Sequence, residues 1–219
     1  MEGEPLVDWD WIARHTDDIA DRLVEHLQLT VIAVVLGLLI SLPVALYAYR
    51  HRWAYAPVTA VTGVLYTIPS LALFAFLVPY TGATSIVTAE IGLVGYTLLI
   101  LIRNIVAGLR SVPADARDAA LGMGYSPRQM LWKVELPLAL PVIIAGVRLA
   151  TVTTIGLVTV TALLGMGGFG HFILAGIRTF FSTTALLGAV LSLLLAVVAD
   201  AVLLVLQRML TPWTRIARA

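Results

Sequence analysis

The segment from Ser111 to Pro137, SVPADARDAALGMGYSPRQMLWKVELP, is the longest polar interval between strongly apolar stretches of this 219-residue chain. Basic residues within it or directly before it are Arg110, Arg117, Arg128 and Lys133. Lys and Arg are enriched in the loops that membrane proteins keep on the cytoplasmic side. The segment is therefore predicted to be a cytoplasmic loop between two membrane spans.

The loop has the sequence signals of two short helices. Ser111 is predicted to cap the first helix, with Pro113 in its opening turn, where a missing N–H group costs little. Gly122 and Gly124 are predicted to end it, because glycine adopts the left-handed conformation that follows many helices. The run SPRQ at 126–129 predicts the second helix, since serine, proline and glutamine occupy the positions of a capping box. Pro137 is predicted to limit that helix, because proline disfavours helical geometry in the preceding residue.

A polar helix–turn–helix without any nucleophile–base pair predicts a docking surface and no catalytic residue. Ala119 and Ala120 are small, and we expect them to let the backbone of a partner protein approach closely. Asp118-Ala119-Ala120, three residues, Gly124, nine residues and then Val134-Glu135-Leu136-Pro137 follow one another in this loop. This pattern resembles the EAA signature (E-A-A-x3-G-x9-I-x-L-P) of the permeases of ABC importers, with Asp118 and Val134 as its two departures.

The resemblance implies an all-α, MetI-like fold of the type I importers and a coupling loop at 110–137. The residues that it assigns to ATPase coupling are Asp118, Ala119, Ala120, Gly124, Leu136 and Pro137. It also implies cytosolic ABC ATPases as partners, a second permease copy or paralogue, and an extracytoplasmic substrate-binding protein. ATP and Mg would be bound by the partner ATPase, so no cofactor and no nucleic acid are expected for this chain.

Three further segments narrow the resemblance: TIPSLAL at 67–73, ELPLALP at 135–141 and ALLG at 162–165. They are similar to segments of permeases for the osmoprotectants glycine betaine, choline and carnitine. The implied function is ATP-driven import of such a compound. Two alternatives stay open: import of an amino acid or another small solute, and a secondary transporter driven by an ion gradient with Asp200 as its coupling acid.

Composition alone places the chain in a membrane. Apolar residues make up 60% of it and charged residues 12%, with a mean hydropathy of +0.96, and soluble domains rarely approach this balance. A span needs about 20 apolar residues to cross roughly 30 Å of hydrocarbon. Five spans are predicted, at about 27–49, 54–79, 91–109, 138–164 and 183–206. The prolines at 57 and 69 indicate a late start or a kink in the second span.

The charge distribution predicts orientation in the plasma membrane. Residues 1–26 are acidic and are expected to form an extracytoplasmic segment that includes an amphipathic helix on the membrane surface. The permease domain is expected over 27–210, followed by a cytoplasmic tail at 211–219. With the N-terminus outside, nine of the fourteen Lys and Arg residues lie in cytoplasmic segments, as the positive-inside rule requires.

Arg103, Arg148 and Asp200 lie at membrane depth, where a charge facing lipid is costly. A link between Asp200 and one of the arginines would neutralise both charges. Asp200 is interpreted either as part of a gate or translocation path or as half of a structural ion pair. For Arg103, seven residues from its span end, extension of the side chain toward the inner interface is favoured.

Several motifs that could indicate an enzyme lack the neighbouring sequence that such enzymes need. GMGGFG at 165–170 fits the dinucleotide-binding glycine pattern, but it follows a predicted span, whereas that pattern belongs after a strand. A flexible outer link or a re-entrant turn is expected there instead. No P-loop sequence occurs, the four histidines lack metal-ligand spacing, and the chain has no cysteine. The sequence therefore predicts a transport subunit with no catalytic and no metal site.

Overall fold

The computed structural model describes residues 6–213, and most of them are helical. The helices are α1 (Trp9–Arg14), α2 (Thr16–Arg50), α3 (Arg52–Thr67), α4 (Ser70–Thr81), α5 (Ile86–Arg110), α6 (Ala114–Gly122), α7 (Pro127–Met130), α8 (Leu136–Val160), α9 (Gly170–Thr179) and α10 (Ser182–Leu210). A π-helical turn, Leu131–Glu135, joins α7 to α8, and a 3-10 turn, Thr161–Leu164, follows α8. The predicted all-α class is confirmed.

Four helical segments of the described chain are long and apolar enough to cross a membrane: Thr16–Arg50, Ile86–Arg110, Pro127–Leu164 and Ser182–Leu210. The fifth candidate is the pair α3 and α4, which bend by 93° at the break between them. The predicted second span is therefore two helices and not one kinked helix. The break follows from Pro69, which favours extended geometry at Ile68, and the hydroxyl of Tyr96 donates a hydrogen bond to the Ile68 carbonyl.

The acidic N-terminal segment does not form the separate surface helix expected for it. Helix α1 covers only Trp9–Arg14, capped by the Asp8 carboxylate, which accepts a hydrogen bond from the Trp11 N–H at 2.9 Å. The residues from Thr16 onward already belong to α2. Ile19 and Leu23 are half-buried on this helix and Leu27 is exposed, and no break separates these three residues from the span. Glu2 and Glu4, also counted in the acidic segment, lie outside the described residues.

Helix α5 forms the centre of the bundle and packs against α2, α3, α4 and α8. Small residues let the helices approach closely, as is common in membrane bundles. A Cβ at Gly37 of α2 would lie 1.9 Å from the Thr97 hydroxyl oxygen of α5. A Cβ at Gly146 of α8 would lie 2.3 Å from the Cβ of Asn104. These close approaches bury most of α5, whereas α10 is exposed along most of its length.

Pro137 does not end the helix that starts at Pro127, contrary to the prediction. The chain stays helical through Leu136, and the Leu136 N–H donates to the Leu131 carbonyl five residues back. Proline lacks an N–H group, and its ring crowds the carbonyl four residues before it in an ordinary α-helix. The wider π-helical turn directly before Pro137 accommodates both effects. The predicted docking loop and the predicted fourth span thus share one continuous helical segment, Pro127–Leu164.

The glycine-rich segment at 165–182, expected as a flexible link or a re-entrant turn, contains the helix α9, which packs against α10. His26 of α2 holds the segment before this helix in place. The Phe169 N–H donates to His26 Nδ1 at 3.3 Å, so His26 Nε2 carries the proton and donates to the Ile155 carbonyl at 3.0 Å. No strand precedes GMGGFG in the part of the chain that the structure describes, which excludes a dinucleotide-binding unit.

Candidate functional site

The turn that ends α6 is built around Gly124. Gly124 has φ of +78°, and its N–H donates to the Leu121 carbonyl at 2.9 Å. The next N–H, that of Tyr125, donates to the Ala120 carbonyl at 3.1 Å. These two bonds form a Schellman motif, which satisfies carbonyls at a helix end and favours glycine at the left-handed position. The prediction that glycine ends this helix is confirmed, with Gly122 as its last helical residue and Gly124 as the left-handed one.

The second short helix starts with the predicted capping box. The Gln129 N–H donates to Ser126 Oγ at 3.3 Å, and the Ser126 N–H donates to Gln129 Oε1 at 2.9 Å. The start of α6 differs from the prediction. Ser111 Oγ donates to the Gly108 carbonyl at 2.8 Å, at the end of α5, and Pro113 occupies the cap position of α6. Ser111 therefore does not cap α6, because its hydroxyl is used by the preceding helix.

A polar cluster joins α6 to the rest of the bundle. Arg117 Nε donates to Glu135 Oε1 at 3.0 Å, and Arg117 Nη2 donates to the Leu109 carbonyl at 2.7 Å and to Tyr49 Oη at 3.1 Å. The Tyr49 hydroxyl in turn donates to Glu135 Oε1 at 2.7 Å. The cluster therefore links α6 with the ends of α2 and α5 and with the π-helical turn. Sequence reasoning placed Arg117 and Glu135 in the loop but did not foresee their pairing.

The outward face of α6 is small, acidic and apolar. Asp118 and Ala119 are exposed, as are the side chains of Leu121 and Met123 at 62% and 66%. Ala120 is buried, with 1% of its surface exposed. Of the two alanines expected to face a partner, only Ala119 is available, because Ala120 packs inward. The exposed Leu121 and Met123 were not singled out, although apolar residues in a polar loop are a usual sign of a contact surface.

The remaining two positions of the loop signature do not lie on this face. Leu136 and Pro137 are half-buried and belong to the continuous helix that follows the π-helical turn. The structure therefore brings Asp118, Ala119 and Gly124 together at one exposed end. It places the Leu136-Pro137 pair where that end connects with the fourth predicted span.

The charges predicted within the membrane separate into a pair and a single arginine. Arg148 of α8 and Asp200 of α10 form two hydrogen bonds, Nε–Oδ1 and Nη2–Oδ2, each 2.8 Å long. Arg148 Nη1 also donates to Gln207 Oε1 at 3.3 Å, and Gln207 Nε2 donates to the Pro141 carbonyl at 3.1 Å. Asp200 thus has an arginine partner, as expected for a carboxylate at its predicted depth in the membrane. Arg103 is exposed on α5.

Glu90 is a buried acid that lies in the link between the predicted spans at 54–79 and 91–109. Helix α5 begins earlier, at Ile86, where the Ser85 hydroxyl accepts a hydrogen bond from the Val87 N–H at 3.2 Å. Glu90 consequently lies in the second turn of α5, with 8% of its surface exposed. Both carboxylate oxygens are buried without a hydrogen-bond partner among the described residues. The serine cap at 85 was the sequence signal that could have identified this position.

The described residues contain no group of three or more His, Asp or Glu side chains that could hold a metal ion. The described residues thus form a bundle of apolar helices, long enough to span a membrane, with a capped polar helix–turn–helix at one end. A family model described as "Binding-protein-dependent transport system inner membrane component" matches residues 33–216. The chain belongs to this family and is a multi-pass protein of the inner membrane, as the loop signature predicted.

Two relatives from Bacillus subtilis (strain 168) each align over 86% of both chains. The choline transport system permease protein OpuBB is 36% identical over 188 residues, and the glycine betaine/carnitine/choline transport system permease protein OpuCB is 34% identical over 188 residues. The fold is similar to that of a chain in the inward-facing MetNI methionine ABC transporter. That match has a TM-score of 0.78 at 22% identity and covers 88% of this chain and 96% of the other. The predicted MetI-like permease fold is confirmed.

Proposed function

We propose that this chain is the permease subunit of an ATP-driven importer of quaternary ammonium osmoprotectants such as choline, glycine betaine or carnitine. The observation that carries the proposal is the substrate named for two relatives that align over 86% of the chain at 34–36% identity. The segments at 67–73, 135–141 and 162–165 independently resemble the same group of permeases. The chain itself transports and does not hydrolyse ATP in this proposal.

The partner that supplies ATP hydrolysis would be a cytosolic ABC ATPase docked on the loop at 110–137. On the exposed face with Asp118 and Ala119, the side chains of Leu121 and Met123 offer apolar surface, and methionine is enriched in protein interfaces. Two permeases, identical or related, would each bind one ATPase subunit. ATP and Mg would be held entirely by the ATPases, and an extracytoplasmic binding protein would deliver the solute.

The N-terminus would lie outside and the loop at 110–137 inside. This orientation puts nine of the fourteen Lys and Arg residues in cytoplasmic segments, in agreement with the positive-inside rule. The nine are Arg50, Arg52, Arg110, Arg117, Arg128, Lys133, Arg208, Arg215 and Arg218. Arg215 and Arg218 of the predicted tail lie outside the described residues.

The polar cluster around Arg117 suggests how movement would pass from ATPase to span. Closure of the ATPases would displace α6, and the Arg117–Glu135 contact would transmit that displacement to the π-helical turn. Because this turn continues into α8, a tilt at the loop would become a tilt of the fourth predicted span. Such rigid-body movement is a common way of alternating access in membrane transporters.

The test is uptake by proteoliposomes that contain the permease with its ATPase and binding protein. We expect internal ATP to drive uptake of labelled choline or glycine betaine and an uncoupler to leave it unchanged. Uptake that is abolished by the uncoupler and independent of ATP would identify an ion-coupled transporter. ATP-driven uptake of an amino acid, with no competition from any quaternary ammonium compound, would keep the permease class and overturn the proposed substrate.

A further inference from the structure

An open pocket between the end of α2 and the segment that leads into α8 has both apolar and cationic walls. Its volume is about 390 Å³, within the range of roughly 300–1,000 Å³ that is usual for small-molecule sites. The apolar lining residues are Pro43, Leu46, Leu131 and Trp132, and the arginines are Arg50 and Arg128. The pocket therefore has the mixed surface that an amphiphilic ligand requires.

The two kinds of surface follow one another along α2. Pro43, Leu46 and Arg50 are spaced by three and four residues, so they lie on one face of the helix. Pro43 and Arg50 are about 10 Å apart along the helix axis, at 1.5 Å per residue. Pro43 and Leu46 belong to the predicted span at 27–49, and Arg50 follows its end directly. The pocket thus extends from the depth predicted for hydrocarbon to the membrane surface.

The arginines of the pocket are not neutralised by the protein. Both Arg50 and Arg128 are exposed, and neither has a hydrogen-bond or ion-pair partner in the described part of the chain. A guanidinium group carries five N–H donors in a planar fork, which matches the oxygens of a phosphate group. The cationic end of the pocket therefore has donors and charge available for an anion.

Aromatic side chains around the pocket indicate its depth independently of the charges. Tyr47 and Trp132 line it and are 49% and 63% exposed. Trp53 is 69% exposed and lies edge-on to Tyr47, with the ring centroids 6.2 Å apart. Exposed Trp and Tyr residues are enriched at the level of the lipid headgroups. The mouth of the pocket is therefore expected at this level, where phospholipid phosphates are found.

We propose that this pocket binds one anionic phospholipid. The phosphate group contacts Arg50 and Arg128, and the glycerol and the first methylene groups of the acyl chains contact Pro43, Leu46 and Trp132. Basic pockets between membrane helices are known to bind lipid headgroups in this way. The inference goes beyond the proposed function and does not depend on which solute is transported.

The chemistry of the pocket favours this ligand over three others. A soluble phosphate ion would use the arginines and leave the apolar walls uncovered. A zwitterionic lipid carries its own cationic group, which the two arginines repel. A carboxylate of the docked ATPase could reach Arg128, but Pro43 and Leu46 lie at predicted membrane depth, where a cytosolic protein does not reach. An anionic lipid matches both ends of the pocket.

The experiment is native mass spectrometry of the delipidated full-length permease, titrated with phosphatidylglycerol or with phosphatidylcholine of identical acyl chains. We expect wild type to bind one phosphatidylglycerol at least tenfold more tightly than phosphatidylcholine. Arg50→Gln combined with Arg128→Gln should weaken phosphatidylglycerol binding at least tenfold, because hydrogen bonds to charged groups are lost, and should leave phosphatidylcholine binding unchanged. Arg208→Gln removes an exposed arginine that does not line the pocket, and this matched control should bind like wild type.

Two further variants separate the two ends of the pocket. Trp132→Ala keeps the charges and removes apolar surface, so it should weaken the binding of both lipids. Arg50→Lys combined with Arg128→Lys keeps the charge without the fork of donors, and we expect its phosphatidylglycerol affinity to lie between those of wild type and the double glutamine variant. Thermal unfolding of each variant verifies that its fold is retained.

Four results would overturn the inference. Wild type could bind the two lipids equally, or the double glutamine variant could bind phosphatidylglycerol as tightly as wild type. Displacement of phosphatidylglycerol by millimolar inorganic phosphate would assign the arginines to a soluble anion. If the double glutamine variant lost the co-purifying ATPase while its phosphatidylglycerol binding stayed at the wild-type level, the arginines would belong to the protein interface.

Discussion

Arg117 and Glu135, eighteen residues apart, form an ion pair 3.0 Å long that connects the first helix of the docking loop to the π-helical turn. Glu135 is 8% exposed, so its carboxylate depends on Arg117 and on the Tyr49 hydroxyl for compensation. Arg117 also holds the last turn of α5 through the Leu109 carbonyl. One guanidinium therefore fixes the position of α6 relative to three other elements.

Removal of Arg117 should destabilise the permease and uncouple the ATPase. We expect Arg117→Ala to lower the free energy of unfolding by about 1–3 kcal/mol, because it leaves a buried charged group without its partner. Arg117→Lys should recover little, since an ammonium cannot reproduce the fork of contacts that a guanidinium makes. The measurements are thermal unfolding of the purified permease and ATPase activity of the complex with and without loaded binding protein.

The control for that experiment is Arg128→Ala, which removes an exposed arginine from the same loop and should change stability little. A double-mutant cycle of Arg117→Ala with Glu135→Gln should show a coupling energy of about 0.5–3 kcal/mol, as for residues in one network. If the two changes were additive, the interaction between Arg117 and Glu135 would contribute nothing to the free energy of unfolding.

Local backbone signals were readable from the sequence in this protein. The capping box at 126–129 and the glycine end of α6 depend on residues within six positions of one another, and both are present in the structure. Ser111 was misassigned although its role is also local. A serine between two helices can bond to either one, and its hydroxyl contacts the carbonyl of Gly108.

Features that depend on packing were not readable. The burial of Ala120 and the pairing of Arg117 with Glu135 arise from how α6 lies on the bundle, and a signature pattern does not encode that direction. Pro137 was expected to stop a helix, because the rule for proline assumes an α-helical turn before it. The turn before Pro137 is π-helical, so this assumption does not hold here. The burial of Glu90 was missed because a charged residue next to a polar link was assigned to that link, whereas α5 already begins at Ile86.

Gly124 should tolerate a side chain poorly because of its backbone and not because of crowding. No atom lies within 4 Å of a Cβ built on Gly124, yet its φ is +78°. Gly124→Ala should therefore cost about 1 kcal/mol from left-handed strain alone. It should also lower ATPase stimulation and uptake together, because in the proposed complex the turn directs both short helices toward the ATPase. Gly124→Val should be more severe.

Gly122 is the matched control for Gly124. Its Cβ would also meet no atom within 4 Å, but it is the last residue of α6 and has no positive φ. Gly122→Ala should stabilise the helix by roughly 0.5 kcal/mol. If both alanine variants changed stability and coupling equally, the left-handed conformation of Gly124 would not be the cause, and the loop would be only a connection.

The orientation of the chain is tested by accessibility. Single cysteines at Asp10, Tyr80 and Gln129 are informative, because these residues are exposed and the native chain has no cysteine. A membrane-impermeant maleimide added to intact cells should label positions 10 and 80. Position 129 should react only in inverted vesicles or after permeabilisation. Labelling of position 129 from outside would reverse the proposed orientation.

The last prediction concerns Asp200, whose contacts favour a structural role over a gate. Its two bonds to Arg148 and the link from Arg148 through Gln207 to the Pro141 carbonyl hold α10 against α8. Asp200→Asn leaves the arginine at membrane depth without a counter-charge, a costly arrangement facing lipid. We therefore expect this variant to insert and assemble poorly, as measured by the amount of folded permease in the membrane fraction.

The double variant Arg148→Leu with Asp200→Leu removes both charges and separates the two interpretations of the pair. If the pair only fastens α10 to α8, the apolar replacement should restore the folded amount and most of the uptake, because a paired charge can often be replaced by packed apolar groups. If Asp200 works in the translocation path, the folded amount should return and uptake should not. Normal assembly and normal uptake in Asp200→Asn alone would leave the residue with neither role.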